Sequence, residues 1–175
     1  MKNKFVKICA FALALLFAFS GCSFGKKEES GDMEEFSYEM LDLKTMVDNI
    51  YNSIEINELT KSSIERITDE TVLSEQYYLD LDNVISCEVR SAEGKFGVAD
   101  IAVIRVVEGA TDEVLESLER RKDDRINEFS KYDVYDSYDI ALNAEVYYTG
   151  ELVVMLMLPE KDRTAVRDMI QSYLP

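Results

Sequence analysis

The hydrophobic pattern of this chain changes period several times. Residues 8–19 are twelve apolar residues without a break, with Lys2, Lys4 and Lys7 before them and Ser20, Gly21 and Cys22 after. Residues 23–37, SFGKKEESGDMEEFS, then carry no apolar period at all. Leu43, Met46, Val47, Ile50 and Ile54 recur at i, i+3, i+4, i+7 and i+11, which predicts a helix with one apolar stripe. Asp48, Asn49 and Asn52 lie off that stripe. A weaker helical pattern continues through Leu59, Ile64 and Ile67, and residues 69–78 predict another short helix.

From Val84 the period becomes two. Ile85, Cys87 and Val89 alternate with Ser86, Glu88 and Arg90, the pattern of a half-buried strand. Gly94 and Gly97 bracket a turn, and residues 101–107 are apolar on both faces apart from Arg105, as in an inner strand. Thr111 suits an N-cap, with Asp112 and Glu113 placed for the helix dipole. That helix is predicted to about Ser130, with Val114, Leu115, Leu118, Ile126 and Phe129 inward. The order then repeats: a strand over 140–148, a turn at Thr149 and Gly150, and a dry strand over 151–158. Pro159 ends that strand, and a helix from Glu160 turns Val166, Met169, Ile170 and Tyr173 inward.

The fold class predicted is α+β. N-terminal helices precede a ββα-ββα unit with one mostly antiparallel sheet. The two later helices are expected together on one side of the sheet. The run 152–158 is placed centrally, and the N-terminal helices cover the other face.

The first segment bears on where the protein resides. A basic start, an apolar run and small residues make a secretory signal over residues 1–21. Its apolar run is shorter than the roughly 20 residues a membrane-spanning helix needs. Closing on Cys22, it resembles the lipobox of bacterial lipoproteins, in which the thiol is diacylated and the chain is cut just before it. Phe19 stands where leucine is commonest in that motif. The expected organisation is therefore signal peptide 1–21, lipidated cysteine and flexible tether 22–37, and one α+β domain 38–175. As a coil, the tether would hold the domain on the order of 20 Å from the outer face of the cytoplasmic membrane.

Charge narrows the partners. The chain has 19 basic and 35 acidic residues, a formal charge of −16, which becomes −19 once the signal leaves with its three lysines. Nucleic acid needs a basic footprint and is excluded as a partner. An anionic lipid surface is disfavoured for the same reason, so the expected membrane contact is the lipid on Cys22. Histidine is absent, which removes the commonest metal ligand and the commonest neutral-pH general base. Cys9 leaves with the signal and Cys22 is alkylated, so Cys87 remains without a disulfide partner.

A further likeness rests on Ala99-Asp100-Ile101-Ala102-Val103-Ile104, the charged helix ending in Phe129 and Tyr132, Asn143-Ala144-Glu145-Val146, Gly150, and Leu152-Val153-Val154. From about residue 69 to 174 the chain resembles a family of Gram-positive lipoproteins catalogued as domain of unknown function 4358. The resemblance implies the same small lipoprotein architecture and no chemistry, since no activity or cofactor is attached to it.

Three places hold candidate chemistry. In KYDVYDSYDI, residues 131–140, Tyr132, Tyr135 and Tyr138 are each followed by an acid: Asp133, Asp136 and Asp139. Phenols with carboxylates would suit a hard cation or a stacked carbohydrate. The spacing of three is not that of an EF-hand loop, and the segment also reads as a connection whose tyrosines cover the sheet edge. Residues 119–125, ERRKDDR, hold Arg120, Arg121, Lys122 and Arg125, which would suit an anion. The spacings Glu116 to Arg120, Arg120 to Asp124 and Glu119 to Lys122 instead predict a solvated, self-neutralising helix face. Cys87 lies on the apolar side of its strand and reads as buried and inert. No GxSxG, phosphate-binding loop or zinc motif occurs. The expectation is a non-enzymatic binding or scaffolding domain at the cell envelope. The alternatives are a cation- or small-ligand-binding module built on residues 132–139 and a carboxylate-based hydrolase.

Overall fold

Strands β3 (Asp100–Val106) and β5 (Leu152–Met157) are the driest parts of the chain, and the rest of the fold covers them. The computed structural model describes residues 36–92 and 94–175; the signal segment, Cys22 and most of the expected tether lie outside the described residues. β3 and β5 pair antiparallel in the middle of a five-stranded sheet, with Ala102 opposite Met155 and Val103 opposite Val154. β1 (Ile64–Ile67) and β2 (Val84–Ala92) extend the sheet on one side and β4 (Glu145–Thr149) on the other, giving the order β1-β2-β3-β5-β4. All neighbours are antiparallel. The α+β class is borne out.

Strand alternation divides the core in two. Ile101, Val103, Val154 and Leu156 face α1 (Leu43–Ser53) and α6 (Glu160–Ser172), where Met46, Val47, Ile50, Val166 and Ile170 are buried. Ala102, Ile104, Val153 and Met155 face the other way. They pack with Leu73 of α3 (Glu70–Gln76), Val114, Leu118 and Phe129 of α4 (Thr111–Phe129), and Ala141 of α5 (Ser137–Leu142). α4 and α6 therefore lie on opposite faces, not together as the sequence suggested. The reason is that β3 and β5 are apolar on both sides, so each face needs a helical cover.

Three local expectations are also corrected. The pattern through Leu59, Ile64 and Ile67 splits into a five-residue helix α2 (Glu58–Ser62) and the edge strand β1. Ile64 to Ile67 pair with Ala92 to Val89, capturing the free edge of β2. The strand expected over 140–148 is helical until Leu142, and β4 begins only at Glu145. Thr111 is the first residue of α4 and does not cap it; Ala110 stands at the cap without a side-chain bond. The helices starting at Leu43 and Glu70 are capped as their sequences allow, by the carboxylates of Asp42 and Asp69.

The described chain begins with an anchored segment. Ser37 Oγ accepts the Glu39 amide of a 3-10 turn, Tyr38–Met40, and the Phe36 ring meets Tyr38 edge-on at 5.0 Å. Among the described residues no helix is long and apolar enough to cross a membrane.

Candidate ligand clefts

The Tyr-Asp segment follows the end of α4, and the fold uses its residues in two ways. Tyr135 and Asp136 both have left-handed backbone, with φ of 53° and 59°. Such consecutive left-handed residues are costly unless the surroundings hold them. Ser137 does this: it is fully buried, its Oγ accepts the Val98 amide at 3.0 Å, and it donates to the Val134 carbonyl. The bend turns Tyr135, Asp136 and Asp139 toward the corner where β5 runs into α6. There they line a cleft of about 460 Å³ together with Asn143, Glu160 and Arg163.

The cleft is acidic in its free groups. Arg163, though it lines the cleft, is engaged by protein acceptors, Nε to Glu145 Oε1 at 3.0 Å and Nη1 to the Leu158 carbonyl at 3.3 Å. Glu145 also accepts from Arg167 at 2.9 Å. Pro159, at the start of α6, offers no side-chain cap, so first-turn amides remain for solvent or a ligand.

The other three nominated residues go elsewhere. Tyr132 stacks on Phe129 with ring centroids 6.2 Å apart and donates to the Gly94 carbonyl at 3.0 Å. Asp133 Oδ1 accepts the Tyr138 amide at 3.0 Å, and the Tyr138 ring packs half-buried against the core. These three shape the loop and do not reach the cleft. Among the described residues no group of three or more carboxylates or thiols is placed to hold a metal ion.

The charged run 119–125 differs most from expectation. Glu119, Arg120, Asp123 and Asp124 are exposed as expected, but Arg121 and Arg125 are only 8% and 6% exposed and lie on the inner side of the helix. Both turn onto Asp100, which is completely buried in β3. Asp100 Oδ2 accepts Arg121 Nε at 3.3 Å and Nη2 at 3.1 Å, and lies 3.6 Å from Arg125 Nε; Oδ1 accepts Ser91 Oγ at 2.6 Å. Of the three expected helix-surface pairs, only Glu119 with Lys122 forms among the described residues, at 3.9 Å. Arg120 instead lies 3.7 Å over the Tyr78 ring, whose hydroxyl donates to Asp124. The signal for burial was present, because Arg121 and Arg125 fall seven and eleven residues after Val114, on the same stripe as Leu118 and Phe129. Cys87 is partly buried, and burial raises its thiol pKa, which suppresses the nucleophilic thiolate.

Compared with known proteins, residues 57–158 match the family model described as Domain of unknown function (DUF4358). The match begins before the stretch from 69 that carries the sequence resemblance and ends at Leu158, ahead of α6. No curated protein and no solved structure matches the chain.

Proposed function

The chain belongs to this family, and we propose that it is a lipid-anchored extracytoplasmic binding domain, not an enzyme, whose ligand seats in the cleft between α5 and the start of α6. The observation that carries the reading is the convergence of Tyr135, Asp136 and Asp139 with Asn143 and Glu160 on about 460 Å³ of open space. That is the scale of small-molecule sites, which run about 300–1,000 Å³. Free carboxylates with an exposed tyrosine ring favour a polar ligand that carries hydroxyls and a positive amine. The ring supplies a stacking platform and the acids supply acceptors. An amino sugar has this chemistry, and the envelope-facing position implied by the Cys22 signal suits it. The carboxylates do not converge as a metal set, so a small organic ligand fits better than a cation.

The test is the melting temperature of the full chain, held in detergent, against glucosamine and against calcium. A ligand at a hundred times its Kd adds about 2.7 kcal/mol, a rise of several degrees for a domain of this size. The expected result is a rise with glucosamine that is lost in Asp139→Asn and Tyr135→Ala. No rise with glucosamine, or one indifferent to both substitutions, overturns the assignment of the cleft.

A further inference from the structure

We propose a second binding site, for a small carboxylate, in the separate cleft where Arg121 and Arg125 meet Glu128. This cleft measures about 340 Å³ and opens between α3, β2 and α4, with Gln76, Ser91 and both arginines in its lining.

The argument begins with unequal buried charge. Two nearly buried guanidinium groups share one fully buried carboxylate, Asp100. Its oxygens are already occupied by Arg121 and Ser91. Arg125 reaches it only through an Nε at 3.6 Å, and that buried Nε makes no hydrogen bond. Burying a cation without a well-placed partner is costly, so Arg125 requires a second counter-charge.

Glu128 supplies it from the surface. Its Oε2 accepts Arg125 Nη1 at 2.7 Å, while Nη2 donates to the Ala92 carbonyl at 3.2 Å. The Arg125 side chain is 7% exposed and that of Glu128 41%, so the carboxylate is the half of the pair that water reaches and the half that can leave. It lies against the backbone at Gly94, where a Cβ would collide with its carboxylate. Gly94 is held in turn by the bond from Tyr132 to its carbonyl. Glu128 is thus a tethered carboxylate in a ready-made seat, able to swing to solvent when another arrives. Arg121 adds a second donor, because Asp100 engages its Nε and Nη2 and leaves Nη1 outside that contact. A planar carboxylate matches this donor geometry better than a spherical anion does. Glu65, an exposed acid that also lines the cleft, restricts it to ligands of low negative charge. A monocarboxylate with a neighbouring hydroxyl, able to reach Ser91 or Gln76, has the required chemistry.

The probe is sodium lactate, titrated into the full chain in detergent while the arginine Nε–H signals are followed by NMR. The signals of Arg121 and Arg125 are expected to move saturably and those of exposed arginines to stay. A plug that fills its seat about nine-tenths of the time weakens apparent affinity about tenfold. Glu128→Ala, a change at an exposed position, is therefore expected to bind lactate about tenfold more tightly. Arg125→Lys, which keeps the charge and loses the fork, is expected to lose the response. An unchanged Kd in Glu128→Ala overturns the proposal. So does an equal or stronger response to sodium chloride or phosphate at matched ionic strength, since the site would then read charge alone.

Discussion

Tyr77 is completely buried with the Arg121 guanidinium 4.6 Å over its ring, yet its hydroxyl, beside Ser91, makes no hydrogen bond. Burial, and then the charge on Asp100, raise its pKa far above the ordinary tyrosine value of about 10. Burial likewise pushes Tyr147 up to about 12. A raised pKa means that the folded state keeps the proton while the unfolded chain releases it. The contribution is therefore complete below about pH 10 and is lost as pH rises beyond it. The urea midpoint is expected to fall steeply between about pH 10 and 12. Tyr77→Phe should flatten that fall and leave neutral-pH stability unchanged or raised by up to about 1 kcal/mol. An unaltered alkaline slope in Tyr77→Phe would remove Tyr77 as the cause. Asp100 has the opposite role, since truncating it strands two buried cations. Asp100→Ala is expected to cost about 3–5 kcal/mol in urea unfolding; a loss below about 1 kcal/mol would show that the arginines find other partners. Neither residue advertises this in sequence: Asp100 interrupts an apolar run, and its burial becomes visible only with its partners across the sheet and helix.

Between elements, the clearest dependency joins the first turn of the described chain to the β4–β5 hairpin. Gly150 has φ of +57°, and a Cβ there would run far inside contact with the Tyr38 hydroxyl. Gly150→Ala then carries a left-handed backbone cost of about 1–2 kcal/mol and an overpacking cost of about 1–3 kcal/mol. Tyr38→Ala in the same chain should return the overpacking part and leave the backbone part, as read by a double-mutant cycle in urea. Simple additivity of the two substitutions would show that Tyr38 does not brace the turn. Element type followed periodicity in most segments: α1, α3, α4, β2 and β5 all form near their expected bounds. Two segments did not. Ile64 to Ile67 and residues 137–142 are four and six residues long and, unlike the equally short β5, mix polar with apolar residues, so tertiary context decides their type. One is pulled into the sheet by the open edge of β2, the other into a helical turn fastened by Ser137.

The whole molecule is a two-sided core that the lipid-anchor proposal suspends from the membrane. The sheet has helical cover on both faces, so neither of its apolar faces is left for lipid. With the −19 charge expected after processing, the lipid-anchor proposal therefore rests on Cys22 for attachment. Cys22→Ser is expected to accumulate at precursor mass without incorporating labelled fatty acid, whereas the parent chain appears in the membrane fraction at mature mass. Processing and membrane recovery of the Ser variant at parental levels would overturn the anchor.

The sequence by itself determined the fold class, the sheet's driest strands, the long helices and the family, because these follow from periodicity and burial pattern along contiguous residues. It also nominated Tyr135, Asp136 and Asp139. Only the tertiary structure decided that these three share a cleft while Tyr132, Asp133 and Tyr138 build its support. It likewise decided that α4 and α6 cover opposite faces, and that Arg121 and Arg125 lie inside on Asp100. The physical reason is that each of these depends on which elements meet. A spacing along the chain states which residues share a face of one element, but which element covers that face, and whether it brings a counter-charge to a buried cation, is decided only when the elements pack.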